Sequence, residues 1–317
     1  MSEEQSNNPQ WERGVLEKVA LSAIKEQRST RRWNIFIKLA FLTYLVVVLV
    51  IGMGWIGGRD VTQGSHTALV EINGVISSGS QASADKIMGG LRAAFKDKNT
   101  KGVVIRINSP GGSPVQAGYI YDEIKRLRAK HPGVPLYAVV EDICASGGYY
   151  IAAAADKIYV DKASIIGSIG VLMDGFGFTG TMEKLGVERR LLAAGENKGF
   201  LDPFSPMQDQ QKVHAQTMLS DIHQQFISVV RQGRGKRLKE TPDMFSGLLW
   251  VGQKSIDLGL ADALGSLDHV AREVVKAEDI VDFSLQENIA ERVARRFGAA
   301  TAEALVKLGG LGGLNIR

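Results

Sequence analysis

Five short apolar runs, each followed by helically spaced residues or a glycine turn, limit the possible folds of this chain most. They are ALVEINGVI (68–76), GVVIRIN (102–108), LYAVV (136–140), KIYVD (157–161) and ASIIGSIGVLM (163–173). The runs are nearly continuous in apolar residues rather than alternating, as strands are when a parallel sheet is covered on both faces. Between them, SADKIMGGLRAAF sets Ile87, Leu91 and Phe95 on one helical face. Residues 115–130 do the same with Ile120, Ile124 and Leu127. This alternation predicts an α/β fold of repeated strand–helix units containing parallel strands. A long helix is expected over 207–235, striped by Val213, Met218, Ile222, Phe226 and Val230 and ended by Gly233 and Gly235.

Ahead of these units lies LAFLTYLVVVLVIGMGWIGG (39–58), without a charge between Lys38 and Arg59. Twenty residues at about 1.5 Å each give a helix of roughly 30 Å, the thickness of a bilayer's hydrocarbon core. A transmembrane anchor is therefore expected over 35–58, after a cytoplasmic tail (1–34) and before a polar linker (59–66). Gly52-Met53-Gly54 only weakly imitates a signal-peptidase site, so the anchor is expected to stay uncleaved. Lys25, Arg28, Arg31, Arg32 and Lys38 precede it, and Arg59 alone follows within twenty residues. Positive charge stays cytoplasmic, which puts the N-terminus inside and the bulk of the chain outside, in a single-pass arrangement. The main domain is expected over 67–275, with an amphipathic helix (Ile289, Val293, Phe297) and a glycine-leucine tail over 276–317.

Composition narrows the function. With 317 residues, 44% of them hydrophobic, the chain can bury one large core or two modest ones. A net charge of +4 and no basic block with interleaved aromatics argue against a nucleic-acid partner. One cysteine, Cys144, excludes an internal disulfide and reads as small apolar filling at a strand end. HExxH, CxxC and both common phosphate-loop patterns are missing, so no metal or cofactor is expected.

Ligands in open α/β sheets collect at the carboxyl ends of strands. Two loops sit there: NSPGGSP (108–114) and CASGG (144–148). In the second, Ser146 begins an alanine-rich helix, and two readings stay open. Serine is a favoured helix N-cap. It is also the nucleophile of a strained strand-to-helix turn, where the next backbone N–H serves an oxyanion. Gly111 and Gly112 admit the same two readings, as a tight Pro-Gly turn or as N–H donors to an oxyanion. None of His66, His131, His214, His223 and His269 falls in a loop built for catalysis, and each reads as a solvated surface residue.

NSPGG, then ASGGYYIAAAADKIYVDKASIIGSIGV, then GENKGFLDPFSPM, in that order and spacing, resemble the motifs of the signal peptide peptidase A family, bacterial membrane-anchored serine proteases. The resemblance runs from about Ala68 to Val274. It implies a Clp protease/crotonase-like fold and a Ser–Lys dyad. By motif, Ser146 would be the nucleophile, Lys198 the general base and Ser168 the residue orienting that lysine. Gly112 and Gly147 would supply the oxyanion hole. The chain looks like the short, single-half form, in which lysine and serine can come from neighbouring subunits of a ring-shaped homo-oligomer. Signal peptides are the implied substrates and the bacterial inner membrane the implied location, with the catalytic domain periplasmic. Small residues such as Gly118 would suit an apolar groove. A crotonase-like acyl-CoA enzyme and a non-catalytic membrane scaffold are the alternatives.

Overall fold

In the computed structural model, residues 9–52 and 64–285 are described. The chain divides into two compact units, Met1–Arg59 with Glu287–Arg317, and Asp60–Gln286.

In the first unit, helix α1 (Pro9–Gly52) runs unbroken through the expected junction between tail and anchor. Among the described residues no helix is long and apolar enough to cross a membrane. The transmembrane helix expected over 35–58 therefore finds no support among the described residues. Residues 53–58 lie outside the described residues, as does the helix expected around Ile289, Val293 and Phe297.

The second unit is the expected α/β fold. In chain order it comprises β1 (His66–Asn73), α2 (Ala84–Lys96), β2 (Thr100–Ser109), α3 (Pro114–Lys130), β3 (Leu136–Ala145) and α4 (Gly147–Ala152). Then come β4 (Lys157–Val160), β5 (Ile165–Gly167), α5 (Thr179–Lys184), α6 (Asp209–Arg234), β6 (Leu249–Val251), α7 (Gly252–Asp257), β7 (Ala263–Leu264) and β8 (Ile280–Asp282). They form one sheet ordered β6-β5-β3-β2-β1-β8, with β4 and then β7 branching from β3. All pairings are parallel except β5 with β6. β8 pairs with β1, so residues 280–282 belong to this sheet.

The apolar runs are buried on both faces, as their composition requires. Val70, Ile72, Val103, Ile105, Ile107, Ala138 and Val140 share one core with α2, α3 and α6. Val104, Val139 and Tyr159 pack with Val270 in a second, smaller core. Ile87, Leu91 and Phe95 of α2 and Ile120, Ile124 and Leu127 of α3 are buried as their spacing predicts. In α6 the stripe divides: Phe226 and Val230 are buried, whereas Val213 and Met218 are exposed.

β3 positions the site because it serves two neighbours in succession. Tyr137–Val139 pair with β4, and Ile143–Ala145 pair with β5. Ser109 at the end of β2 lies opposite Cys144. The turn after Ala145 therefore emerges between the carboxyl ends of β2 and β5.

Candidate active site

Ser146 occupies that turn with φ 50° and ψ −121°, a conformation that residues other than glycine rarely adopt. Such strain persists only where neighbouring groups over-determine it. Its N–H donates to the Gly167 carbonyl (2.9 Å), and its own carbonyl accepts from the Tyr150 N–H (2.9 Å). The hydroxyl makes no capping bond to α4, although the residue holds the N-cap position. An N-cap serine would spend its hydroxyl on the first turn; this one leaves it free. Cys144, two residues back, is fully buried, and burial pushes its thiol well above the ordinary range, which keeps it un-ionised.

The SPGG loop closes over this turn. Ile76 donates to the Gly111 carbonyl (2.8 Å) and accepts from the Ser113 N–H (2.8 Å), a parallel bridge opposite Gly112. In that geometry the N–H of Gly112 points away from Ile76. A Cβ on Gly147 would lie 3.3 Å from the Gly112 nitrogen, so the two glycines adjoin. Among the described residues neither N–H meets a protein acceptor. Gly111 (φ 102°) and Gly112 (φ 148°) tolerate no side chain: a Cβ on the first would come within 2.7 Å of Ser146 Cβ, and one on the second would strike the Ile76 carbonyl.

Ser146, Gly112, Gly147 and Ser168 line one cleft of about 550 Å³, backed by Ala117, Tyr150, Ile222 and Phe226. Ser168, like Ser146, has positive φ (49°); its N–H donates to the Leu248 carbonyl (2.7 Å). Gly118 is not part of the lining. Lys198 is exposed and outside the lining, and its N–H donates to the Gly195 carbonyl (3.0 Å). One chain thus assembles four of the five expected groups and leaves the amine in solvent.

None of the five histidines lines the cleft, and of the solvated residues expected only His214 is exposed; His131 and His269 are half-buried. His66 is buried at the start of β1, with Nε2 3.2 Å from Thr100 Oγ1. His223 is half-buried on α6, its Nε2 3.1 Å from the Ile169 carbonyl oxygen. The cleft-lining Tyr150 and Phe226 and the Leu248 carbonyl also escaped sequence reasoning; nothing in their local pattern sets them apart from core residues.

An unbonded serine hydroxyl beside two free N–H donors, on a mostly parallel α/β sheet, is the arrangement of a serine hydrolase of the Clp protease type. Residues 68–166 match the Clp protease family model, and residues 128–281 match that of Peptidase family S49. A protein of Synechocystis sp. provisionally named a protease, slr0021, is 31% identical over 63% of this chain and 69% of its own length. A protein of Enterococcus faecium provisionally named a signal peptide peptidase, SppA, is 29% identical over 69% of this chain and 65% of its own. The Na(+)/H(+) antiporter NhaA of Brucella melitensis is 43% identical over 63% of this chain but only 28% of its own length. The chain therefore spans as little as 28% and as much as 69% of these three curated relatives. It belongs to Peptidase family S49, the signal peptide peptidase A family of serine peptidases.

Proposed function

We propose that this chain is a serine endopeptidase in which Ser146 attacks the peptide carbonyl. Gly112 and Gly147 N–H groups stabilise the resulting oxyanion. The observation that carries this reading is the Ser146 hydroxyl, which caps nothing although the chain holds it, under strain, between two unpaired donors.

Lys198 is the proposed base, and Ser168 the hydroxyl that orients it. A lysine free in water has a pKa of about 10.4, so serving as a base at neutral pH needs a drop of about 3 units, or ~4 kcal/mol, chiefly by desolvation. An exposed amine lacks that desolvation. A second copy of the chain can supply it by covering Lys198 and bringing it to a neighbour's Ser146, within a ring-shaped homo-oligomer. The surroundings of Lys198 support this. Leu172 (83% exposed), Phe176 (76%), Leu185 (73%) and Leu192 (97%), in the segment leading to it, stand largely in solvent.

The substrates proposed are peptides released at a membrane, signal peptides among them. Anchoring through residues 35–58, N-terminus inside and catalytic unit outside, is supported by the uncharged run 39–58 and its basic flank.

A serine-reactive fluorophosphonate and a fluorogenic peptide test the reading on the purified full chain. Wild type should label and cleave, and Ser146→Ala should do neither. Equal cleavage by both would remove Ser146 from the mechanism. Mixed Ser146→Ala and Lys198→Ala chains should regain activity if the dyad spans subunits, and none if it lies within one.

A further inference from the structure

We infer that His223 is a positioning residue for this site: its Nε2–H clamps the Ile169 carbonyl and thereby holds the strap that keeps Ser146 and Ser168 in their strained conformations. The inference rests on the proposed role of Ser146 and adds a group that neither the motifs nor the family match assigns.

Besides the ladder that pairs Gly167 with Ala145 and Leu249, three hydrogen bonds hold the strap from Gly167 to Ile169. The Gly167 carbonyl accepts from the Ser146 N–H (2.9 Å), and the Ser168 N–H donates to the Leu248 carbonyl (2.7 Å). The third joins the Ile169 carbonyl to His223 Nε2 (3.1 Å). A carbonyl oxygen only accepts, so Nε2 carries the proton in this contact. The first two bonds are main chain to main chain and survive any side-chain change. The third is the only one of the three that a point substitution removes.

It acts where the backbone stores strain. Ser146 (φ 50°) and Ser168 (φ 49°) both sit in the left-handed region, as does Gly167 (φ 112°). Residues so placed relax unless their surroundings over-determine them. Releasing the Ile169 carbonyl frees the Ile169–Gly170 peptide unit, one residue past Ser168 and two beyond the carbonyl that holds the Ser146 N–H. The clamp also ties the strap to α6, the helix that contributes Ile222 and Phe226 to the cleft wall. His223 itself does not line the cleft, so it acts through the strap and not on the substrate.

The test uses His223→Gln, His223→Asn and His223→Leu in the full chain. A glutamine amide reaches about as far as the imidazole Nε2, an asparagine amide only as far as Nδ1. Leu and Asn should lower both kcat on a fluorogenic peptide and the fluorophosphonate labelling rate about 10- to 100-fold, the scale expected for misplaced reacting groups. KM should stay within about threefold, because no substrate contact is removed. Gln should recover most of the loss, whereas a merely space-filling role would favour Leu over Gln. Amide exchange over residues 165–172 should quicken in Leu and Asn and stay slow in Gln. Wild-type rates in the Leu variant, or equal losses in Gln and Leu, would overturn the clamp. If Leu does not fold, the Gln–Asn difference decides. If wild type shows no Ser146-dependent cleavage, the peptidase reading fails, and exchange alone judges the clamp: unchanged exchange in Leu and Asn rejects it.

Discussion

Replacing Gly112 by alanine should damage the proposed chemistry far more than the fold. At φ 148° an L-residue is strained, and the new Cβ would overlap the Ile76 carbonyl oxygen. Neither group can yield in place, because Ile76 is fully buried and bonded on both sides of Gly112, to the Gly111 carbonyl and the Ser113 N–H (2.8 Å each). The loop has to move as a unit, and the Gly112 N–H moves with it. Losing one donor from an oxyanion site costs ~3–4 kcal/mol of transition-state stabilisation, about 10²–10³ in kcat. The bridge itself consists of two backbone hydrogen bonds, worth about 1 kcal/mol each, so the protein should lose about 2 kcal/mol of stability and still fold. Steady-state kinetics on a fluorogenic peptide, with Tm measured alongside, separates the two effects. The control is Gly118→Ala, where a Cβ meets nothing within 4 Å on helix α3. There alanine should add about 0.5–1 kcal/mol of stability and leave kcat unchanged. A Gly112→Ala enzyme with kcat within threefold of wild type would refute the assignment of its N–H to the oxyanion.

Three further outcomes follow from groups away from the cleft. Arg234, 1% exposed, donates from Nε to the Gly259 carbonyl (2.8 Å) and from Nη1 to Asp262 (2.8 Å); Arg234→Ala should cost about 2–3 kcal/mol in denaturant unfolding by removing these buried bonds, while Asp262 keeps Arg237 (3.1 Å). Glu123, 7% exposed, is held down to about 2 by hydrogen bonds from Arg126 and then Arg92. Its folded pKa lies below the unfolded value, so this contribution is full above about pH 4.5 and is lost as pH falls through 2. Discounted for the solvent around its two half-exposed arginines, it amounts to about 2 kcal/mol, and the stability gap between wild type and Glu123→Gln should shrink between pH 5 and pH 2.5. Cys144 is buried and un-ionised, so peptide cleavage should survive thiol alkylation of the native protein, and rapid inactivation would contradict that burial.

The strands were legible because a parallel sheet covered on both faces leaves few polar positions in its central strands: LYAVV has no charged residue, and GVVIRIN is broken only by Arg106 and Asn108. The helices α2 and α3 were legible because each has a buried stripe facing that sheet. The glycine loops were legible as loops, yet what the glycines do was not. Gly112 is needed because Ile76, thirty-six residues earlier, bridges to it, and no local pattern records such a contact. His223 was misread for the same reason. Among polar neighbours on a helix it looks solvated, and only the return of the strap from β5 brings a carbonyl to its ring.

The anchor and the lysine were left open for another reason: in the proposed reading each depends on something beyond one folded chain. The division of the α6 stripe shows the physical logic. Phe226 and Val230 found the core, while Val213 and Met218, at the same helical spacing, stayed in water. Helical periodicity reports that a face is meant to be covered, not what covers it. In the C-terminal half of α6 the cover is the chain's own sheet. In the N-terminal half, residues 200 and 201 cover only Gln211 and His214, and Val213 and Met218 stay exposed. The proposed docking of another copy would cover these exposed apolar residues and, in the same event, dry the surroundings of Lys198, the proposed base. Separate explanations for the stripe and the lysine would need two coincidences.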